Sequence, residues 1–306
     1  MRPTPEAVLG ALPVVVDEVD CALGAVRVAS YPGGTRPTSE VRLGPGRGEC
    51  VAWTDEAHAA FRARMERVPR GRWWLGPWVA AMRQRFDDPY ERAALEAAAI
   101  DAALRQAETG FLALAGAAPR PVRYVVSYGR LRDPMAEVEP RVELKLDLDP
   151  EWDDATWAAL AASRRVAVLD CKGAGDAERA HRALPGALIE NAAAGPWSAS
   201  LRQQLSFDAP LTSAAALDAL PAAPAAVNLK PARMGGVLEA LTCATRCRER
   251  GIPVYVGGMF EVGVGRLQLR ALAALVSPDG PNDIAPLVGP DRPKRLPVDG
   301  SRPGLA

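Results

Sequence analysis

The chain has 306 residues, 48% of them hydrophobic and 24% charged, so it is long enough to bury one large core or two smaller ones. Its 37 lysine and arginine residues balance its 37 aspartate and glutamate residues, which excludes a strong net field for gathering nucleic acid or anionic lipid. We therefore expect a small-molecule partner and neither nucleic acid nor membrane.

The N-terminus lacks the basic start and apolar segment of a secretory signal, and the sequence has no apolar run of about 18 residues. A cytoplasmic location is therefore expected. The five cysteines are an odd number and widely scattered, so we expect them to be reduced. Cys243 and Cys247 lie four residues apart without a nearby histidine, which favours a buried structural role over zinc binding.

The first part of the chain predicts an α+β unit. Residues 11–30 and 39–53 alternate apolar and polar positions as strands do, with the turn-rich YPGGTRPTS between them, and the tract 55–114 is alanine-rich with helical spacing. GRWWLGPW, residues 71–78, concentrates three tryptophans. Packing beneath a helix is the favoured interpretation of these rings, and ligand stacking is the alternative.

The remainder of the chain alternates short β-rich runs with alanine-rich stretches of helical length. The runs are RYVVSYG, VELKLDL, RVAVLDC, ALIEN, LSFDAP, AVNLKP and PVYVGGM. This alternation indicates parallel pairing, and the number of units favours an α/β fold of the TIM-like (β/α)7–8 barrel type over an open sheet. A last strand near NDIAPL is expected to close the barrel.

Ionisable residues stand at or just past the end of almost every run. They are Lys145, Asp147, Asp170, Glu190, Asp208, Lys230 and Glu261. In a barrel these ends meet at one mouth, where active sites of this architecture lie. Carboxylates on three consecutive strands repel one another unless a cation or a shared proton compensates, and a divalent hard cation is the usual solution.

Two motifs carry a resemblance to a known family. The sixth run ends in K-x-x-R-x-G-G, here Lys230, Arg233, Gly235 and Gly236, and GGMFEVGVGR, residues 257–266, follows the seventh run. With these motifs the chain resembles the muconate-lactonizing subgroup of the enolase superfamily, which includes o-succinylbenzoate synthases, N-acylamino-acid racemases and dipeptide epimerases. The resemblance covers nearly the whole length and implies a capping domain at 1–118, a barrel at 119–290 and a tail at 291–306.

The resemblance also implies a mechanism and a cofactor. In such enzymes carboxylates on the third, fourth and fifth strands bind Mg²⁺, which matches Asp170, Glu190 and Asp208. The metal holds a substrate carboxylate and stabilises the enolate that forms when a lysine removes the adjacent proton. Lys230 is expected at the barrel mouth, on one face of the substrate, as a base, an acid or an electrostatic stabiliser. Arg233 and Glu261 are expected to support the site, and a homo-oligomer is an open alternative to a monomer.

The second strand departs from the family pattern, in which the second lysine of K-x-K is the catalytic base. Anchoring on Trp152 and Asp153 places Lys145 at the first lysine and Asp147 at the second. The alternative register, with Lys145 at the catalytic position, needs a two-residue insertion and is less favoured. Lys230 therefore acts alone or together with Lys145 in this interpretation.

Two classes of function follow. The first is an enzyme that forms a metal-stabilised enolate from a small carboxylate. Since proton transfer on one face suits elimination or cycloisomerisation better than racemisation, an o-succinylbenzoate synthase-like lyase or cycloisomerase is favoured. The second is a diverged, non-catalytic barrel that binds a small carboxylate or a protein. Fold alone does not separate them.

Two more residues enter as hypotheses. The YPGGTRPTS turn, residues 31–39, is expected to close over the barrel mouth, with Arg36 selecting an anionic ligand. Lys172 replaces an asparagine of the family pattern two residues after Asp170. Its ammonium is expected to approach the carboxylates and to weaken Mg²⁺ binding, whereas a solvent-facing Lys172 above an ordinary magnesium site is the alternative.

Overall fold

The structure is a computed structural model that describes residues 3–28, 31–287 and 293–305. Its strands are β1 (Pro13–Val16), β2 (Val19–Arg27), β3 (Thr35–Leu43), β4 (Gly46–Cys50), β5 (Gly71–Trp74), β6 (Val126–Arg130), β7 (Leu144–Asp147), β8 (Val166–Asp170), β9 (Leu188–Glu190), β10 (Leu205–Phe207), β11 (Ala226–Leu229) and β12 (Val254–Val256). Its α-helices are α1 (Pro5–Gly10), α2 (Asp55–Ala63), α3 (Leu75–Arg83), α4 (Pro89–Gln106), α5 (Phe111–Leu114), α6 (Pro134–Glu137), α7 (Asp154–Ser163), α8 (Ala177–Ala183), α9 (Ala199–Arg202), α10 (Pro231–Met234), α11 (Val237–Glu249) and α12 (Val264–Val276).

The N-terminal unit combines two antiparallel sheets with helices. One sheet has the order β2, β3, β4, and the other pairs β1 with β5. Helix α4 begins at the N-cap Asp88, whose carboxylate accepts hydrogen bonds from two backbone N–H groups, and its alanines let it pack closely against β4. The predicted turn 31–39 is too long, because residues 35–39 belong to β3. Residues 29 and 30 of the first predicted run lie outside the described part.

The tryptophan-rich stretch divides into two environments. Trp78 is fully buried in α3, as the packing interpretation requires, whereas Trp74 at the end of β5 is 60% exposed. The packing interpretation therefore holds for Trp78 and is wrong for Trp74.

The second unit is a curled parallel sheet whose order, β6 to β12, follows the chain. Asn282 and Asp283 complete the ring, because Asn282 bridges to Tyr124 before β6 and Asp283 bridges to Gly257 after β12. The buried Asn282 side chain secures this closure by accepting a hydrogen bond from Val256 N at 2.8 Å. The predicted strand near NDIAPL is thus reduced to single bridges. The predicted TIM-like barrel with an N-terminal α+β unit is confirmed.

The predicted domain limits stay predictions. The limit between 290 and 291 lies outside the described residues.

All five cysteines, each of them within the described ranges, are buried and form no disulfides. No helix in the described part of the chain is long and apolar enough to cross a bilayer.

A carboxylate of the N-terminal unit stabilises the start of a barrel helix. Glu96 of α4 accepts a hydrogen bond from Leu238 N at 2.7 Å, in the first turn of α11. Gly235 has a φ of +79°, and a Cβ on Gly236 would lie 2.3 Å from the Glu96 carboxylate. The two glycines of the K-x-x-R-x-G-G motif therefore provide a left-handed turn and room for Glu96.

We predict that Glu96→Gln removes part of the pH dependence of stability. Burial raises the pKa of Glu96 to about 7, although the Leu238 N–H lowers it. This pKa lies above the ordinary value of 4.5, so the folded state favours the protonated Glu96 side chain. The stability that this side chain contributes is complete below about pH 4.5 and is lost as pH rises through about 7. Glutamine keeps an oxygen acceptor without the charge. Between pH 5 and pH 8 the free energy of unfolding of the variant should therefore rise by about 2–3 kcal/mol relative to that of wild type.

Urea denaturation of both proteins across this pH range measures the effect. Groups that titrate in both proteins cancel in the difference between the two unfolding free energies. A constant difference from pH 5 to pH 8 would contradict the prediction.

Candidate active site

A cavity of about 780 Å³ opens at the carboxyl ends of the parallel strands. Charged side chains line much of it, including Lys145, Asp147, Lys172, Asp208, Lys230 and Arg233. The loop after β12 contributes Phe260, and the N-terminal unit contributes Trp53. The strand ends therefore meet at one mouth, as barrel geometry predicts.

Three buried carboxylates form the centre of the site. Asp170 ends β8 and is directly paired in register with Glu190, which ends β9, and Asp208 follows β10. Each offers an oxygen within 4.8 Å of those of the other two. Exposure is 0% for Asp170 and Glu190 and 4% for Asp208, so water does little to screen their mutual repulsion.

Each carboxylate has its own cation. Lys172 Nζ lies 2.5 Å from Asp170 Oδ2, and Lys145 Nζ lies 2.5 Å from Glu190 Oε2. Lys230 Nζ donates a hydrogen bond to Asp208 Oδ2 at 2.9 Å, and the Arg233 guanidinium donates to the other Asp208 oxygen. The chain thus places a positive charge beside every member of the triad.

The pKa shifts follow from the balance of burial and charge. Burial raises the pKa of Asp170, but the Lys145 and Lys172 ammonium groups outweigh burial and leave that pKa below its ordinary value. Burial also raises the pKa of Glu190, and there the attraction of Lys145 does not offset burial and the neighbouring carboxylates. Glu190 is therefore the member of the triad whose negative charge is least compensated.

The two second-strand residues occupy different depths. Lys145 is 2% exposed and lies inside the barrel, 2.5 Å from Glu190 and 3.3 Å from Asp283. Burial lowers the pKa of Lys145, but the carboxylates of Glu190 and Asp283 outweigh burial and raise that pKa well above its ordinary value. Asp147 lies two residues further on, at the strand end, and lines the cavity. The carboxylates of Glu190 and Asp283 therefore hold Lys145 as a cation.

Lys172 joins the second and third strand ends. Its Nζ lies 3.0 Å from Asp147 Oδ1 in addition to its contact with Asp170. Its backbone has a φ of +51°, a region that costs a non-glycine residue free energy, and Lys172 N donates to Asp170 Oδ1 at 2.9 Å. Burial lowers the pKa of Lys172, but Asp170 and Asp147 raise it above the ordinary value, so the group is a cation. The Lys172 ammonium thus contacts two carboxylates while its side chain stays 48% exposed, and its effect on Mg²⁺ binding remains a prediction.

Three residues of the site escaped the sequence analysis: Asn191, Asn228 and Asp283, which lies 3.3 Å from Lys145 Nζ. Asn228 Nδ2 donates to Glu190 Oε1 at 2.9 Å. Asn191 Nδ2 donates to Asp170 Oδ1 at 3.2 Å, while its oxygen accepts from Asp208 N at 3.0 Å. The signal was present, because Asn191 directly follows Glu190 and Asn228 precedes Lys230 by two positions on the same face of the strand end.

The triad suits a magnesium ion in its donor chemistry. Hard carboxylate oxygens are the ligands that Mg²⁺ prefers, and the three groups lie within reach of one ion. The contact between Lys145 and Glu190 is an ion pair that lacks hydrogen-bond geometry, so Glu190 Oε2 is buried without a hydrogen-bond donor. An acceptor left in this state is the kind of atom that a cation ligates.

Two predicted supporting residues lie behind the cavity wall. Glu261 is 4% exposed, accepts a hydrogen bond from Met259 N at 2.8 Å and lies 3.9 Å from the Arg266 guanidinium. Arg36 lies in β3, is 1% exposed and is not among the residues that line the described cavity. Tyr31, at the turn, packs edge-on against Phe260 with ring centroids 5.3 Å apart, so the turn itself lies beside the barrel mouth.

The loop that carries Phe260 is fixed by the N-terminal unit. The Glu49 carboxylate of β4 accepts hydrogen bonds from Val262 N at 2.7 Å, Gly263 N at 2.8 Å and Gly265 N at 3.0 Å. These N–H groups surround the start of α12, where an anion is favourable. No sequence motif marked Glu49, because its partners lie more than 200 residues away in the chain.

Comparisons with known proteins agree with this architecture. A family model described as the domain of unknown function (DUF8230) C-terminal domain matches residues 118–288. An N-succinylamino acid racemase of an Amycolatopsis species is 34% identical over 220 residues, which are 63% of this chain and 60% of the racemase. An o-succinylbenzoate synthase of Bacillus subtilis (strain 168) is 44% identical over 59 residues, 19% of this chain and 16% of the synthase. The chain therefore spans less than two thirds of the length of these relatives.

Solved structures share the fold. The crystal structure of a dipeptide epimerase from Methylococcus capsulatus, complexed with Mg and the dipeptide L-Arg-D-Lys, superposes with a TM-score of 0.78 and 22% identity. The superposition covers 95% of this chain and 99% of the epimerase. The likeness confirms the resemblance in fold that the two motifs indicated.

We predict that Lys172→Asn strengthens magnesium binding. Lys172 competes for Asp170 with any cation that binds the triad, and removing its charge leaves more uncompensated negative charge there. The dissociation constant measured by calorimetric titration should fall about tenfold or more, which corresponds to about 1.4 kcal/mol or more. Lys294→Asn, the same change at an exposed position, should leave the affinity unchanged. Equal affinities in wild type and Lys172→Asn would refute the prediction.

Proposed function

We infer that this chain, which belongs to the family of the DUF8230 C-terminal domain and has the fold of the enolase superfamily, is an enzyme that removes the α-proton of a small carboxylate. The observation that carries the proposal is the position of Lys230. Its Nζ lies on the cavity wall, 2.9 Å from Asp208 and thus beside the carboxylate triad. A proton carrier next to a site for a hard cation is the arrangement that α-proton removal requires.

Asp170, Glu190 and Asp208 would hold Mg²⁺, which when bound would offer a coordination position to the substrate carboxylate and stabilise the negative charge that develops on it. The residues of the chain perform the other tasks. Lys230 takes the α-proton on one face of the substrate at its Nζ. Arg233 keeps Asp208 paired while Lys230 is neutral, because the two cations bind different oxygens of that carboxylate.

The other ionisable groups have supporting roles in this proposal. Lys145 compensates the charge of Glu190 from within the barrel. Its role in this proposal is electrostatic, and Lys230 carries the proton. Glu261 holds the loop after β12 through Met259 N and the Arg266 side chain. The Glu261 carboxylate thereby positions the backbone next to Phe260 on the cavity wall.

Proton transfer on one face favours a lyase or cycloisomerase, in the manner of an o-succinylbenzoate synthase. The end of β7 offers the Asp147 carboxylate at the position where the family pattern has its second lysine, and that carboxylate is engaged by Lys172. Racemisation and epimerisation need a proton carrier on each face, so relatives with those activities provide a weaker guide to the reaction of this chain.

A second candidate, a barrel that binds a carboxylate without turnover, is favoured by one observation. Each member of the triad already has a cation of the chain beside it, so the site is electrostatically stable without further chemistry. A test of proton exchange separates the two candidates, because a pure binder leaves the α-proton of its ligand in place.

We predict that the protein, supplied with Mg²⁺ in deuterated buffer, exchanges the α-proton of at least one member of a panel of small carboxylates. Proton NMR measures the loss of the α-proton signal. Lys230→Ala should lower the exchange rate at least about 100-fold, because general base catalysis contributes a factor of about 10²–10⁴. Exchange by wild type at the rate of buffer alone would favour the binding barrel.

Controls separate the proton carrier from its charge. Lys230→Arg retains the ion pair with Asp208 but does not release a proton at neutral pH, so it should fold normally and be as inactive as Lys230→Ala. Lys294→Ala, at an exposed position, should exchange as wild type does. Undiminished exchange in both Lys230 variants would exclude Lys230 as the proton carrier.

A further inference from the structure

A second cavity opens on the face of the barrel opposite the active site. It has a volume of about 420 Å³, which lies within the range of about 300–1,000 Å³ that small-ligand sites occupy. Its walls come from the segments that lead into β6, β7, β8 and β9, so it lies at the amino ends of the parallel strands. Among the described residues that line it, one, Glu143, is acidic and four are arginines, namely Arg123, Arg141, Arg164 and Arg165.

Of these four arginines, only Arg123 has a carboxylate partner in the described part of the chain. Its Nε lies 3.0 Å from each oxygen of the Glu143 side chain, so the two opposite charges compensate each other. Arg165 has a neutral partner instead, because its Nη1 donates a hydrogen bond to Glu139 O at 2.7 Å. The positive charge of Arg165 therefore stays uncompensated.

The side chains of Arg141 and Arg164 are free. Both residues are exposed, and neither guanidinium forms a hydrogen bond or an ion pair with any residue in the ranges 3–28, 31–287 and 293–305. Three guanidinium charges at this cavity thus lack a counter-ion, although the 37 basic residues of the chain are balanced by 37 acidic ones. A cavity lined by charges of one sign concentrates the electrostatic potential and attracts ligands of the opposite charge.

The backbone at Arg141 and Arg164 also points to a role for these side chains. Their φ angles are +71° and +54°, in the left-handed region that costs a non-glycine residue free energy. Arg164 is the C-cap residue of α7, and a left-handed residue at the end of a helix is usually glycine. Glycine would form both turns with less strain, so the turns themselves do not explain why arginine occupies these positions.

We propose that this second cavity binds a diphosphate group. Guanidinium groups present paired N–H donors that match the oxygens of a phosphate. One phosphate group carries about 1.5–2 negative charges at pH 7, so two linked phosphate groups are needed to balance Arg141, Arg164 and Arg165. The apolar residues Val142 and Val166 also line the cavity, so the diphosphate is either the inorganic ion or the end of an organic molecule that packs against them.

Isothermal titration of inorganic pyrophosphate into the protein in metal-free buffer tests the proposal. Wild type should bind it at least about tenfold more tightly than inorganic phosphate, since the second phosphate adds charge-assisted hydrogen bonds. Arg141→Gln and Arg164→Gln should each weaken pyrophosphate binding at least about tenfold. Arg85→Gln and Arg248→Gln, the same change at exposed positions that do not line the cavity, should leave the affinity unchanged. All four variants keep the lysines of the active-site mouth, so the comparison isolates the second cavity.

Glycine variants separate binding from folding. Glycine fits the left-handed backbone, so Arg141→Gly and Arg164→Gly should have urea denaturation midpoints equal to or above that of wild type. Their pyrophosphate affinities should nevertheless fall at least about tenfold. Lower midpoints together with unchanged affinity would show that the two arginines serve the fold, which would overturn the proposal.

A comparison of ligands identifies the anion. Citrate that binds as tightly as pyrophosphate would overturn the assignment to a phosphate ligand in favour of a polycarboxylate. Binding of ADP that is tighter than that of pyrophosphate supports an organic diphosphate, and the reverse order supports the inorganic ion. The site itself is refuted if pyrophosphate does not bind, or if it binds wild type and the two glutamine variants with equal affinity.

The result is independent of the proposed reaction. None of the four arginines lines the active-site cavity, so α-proton exchange by Arg141→Gln and Arg164→Gln should equal that of wild type. Exchange that occurs while neither arginine affects pyrophosphate binding refutes the second site alone. Pyrophosphate binding that depends on these arginines, found together with absent exchange in wild type, refutes catalysis and leaves the second site supported.

Discussion

The mutual repulsion of three buried carboxylates is the constraint on which the barrel mouth depends. Parallel strand register brings Asp170, Glu190 and Asp208 together in a place that water does not reach, where like charges interact strongly. The chain meets this constraint with at least one cation for each carboxylate and with the amides of Asn191 and Asn228. The site is consequently a network of charges and polar groups in which a change at one residue alters the balance at the others.

The N-terminal unit helps to hold this network in place through two carboxylates. Glu49 accepts hydrogen bonds from backbone N–H groups at the start of α12, and Glu96 does so at the start of α11. In both cases a carboxyl group from one unit accepts a hydrogen bond from the N-terminal turn of a helix in the other. The loop with Phe260, and the turn between α10 and α11, are thereby attached to the N-terminal unit that carries Trp53.

Asp147 and Lys172 form a pair of opposite charges at the barrel mouth. Asp147 at the end of the second barrel strand gives the cavity a negative charge, and Lys172 after the third barrel strand gives it a positive one. The Lys172 Nζ and an Asp147 carboxylate oxygen lie 3.0 Å apart, so the two opposite charges compensate each other. This pair lies beside the Asp170, Glu190 and Asp208 triad, because Lys172 also contacts Asp170.

The sequence by itself determined the alternation of strands and helices, and hence the barrel and its mouth, because periodicity and turn residues are local properties of the chain. It also determined Asp170, Glu190, Asp208 and Lys230 as strand-end residues. Only the tertiary structure decided which groups pair, since the partners of Glu49, Glu96 and Arg36 depend on contacts between distant segments. The turn at 31–39 was too long in the sequence analysis, because the pairing of β2 with β3 extends the strand beyond its local signal. Burial decided the electrostatics of the site, because a charge changes the free energy of the protein strongly only where water is excluded. Which side chains are buried depends on the tertiary structure and cannot be read from a local stretch of sequence.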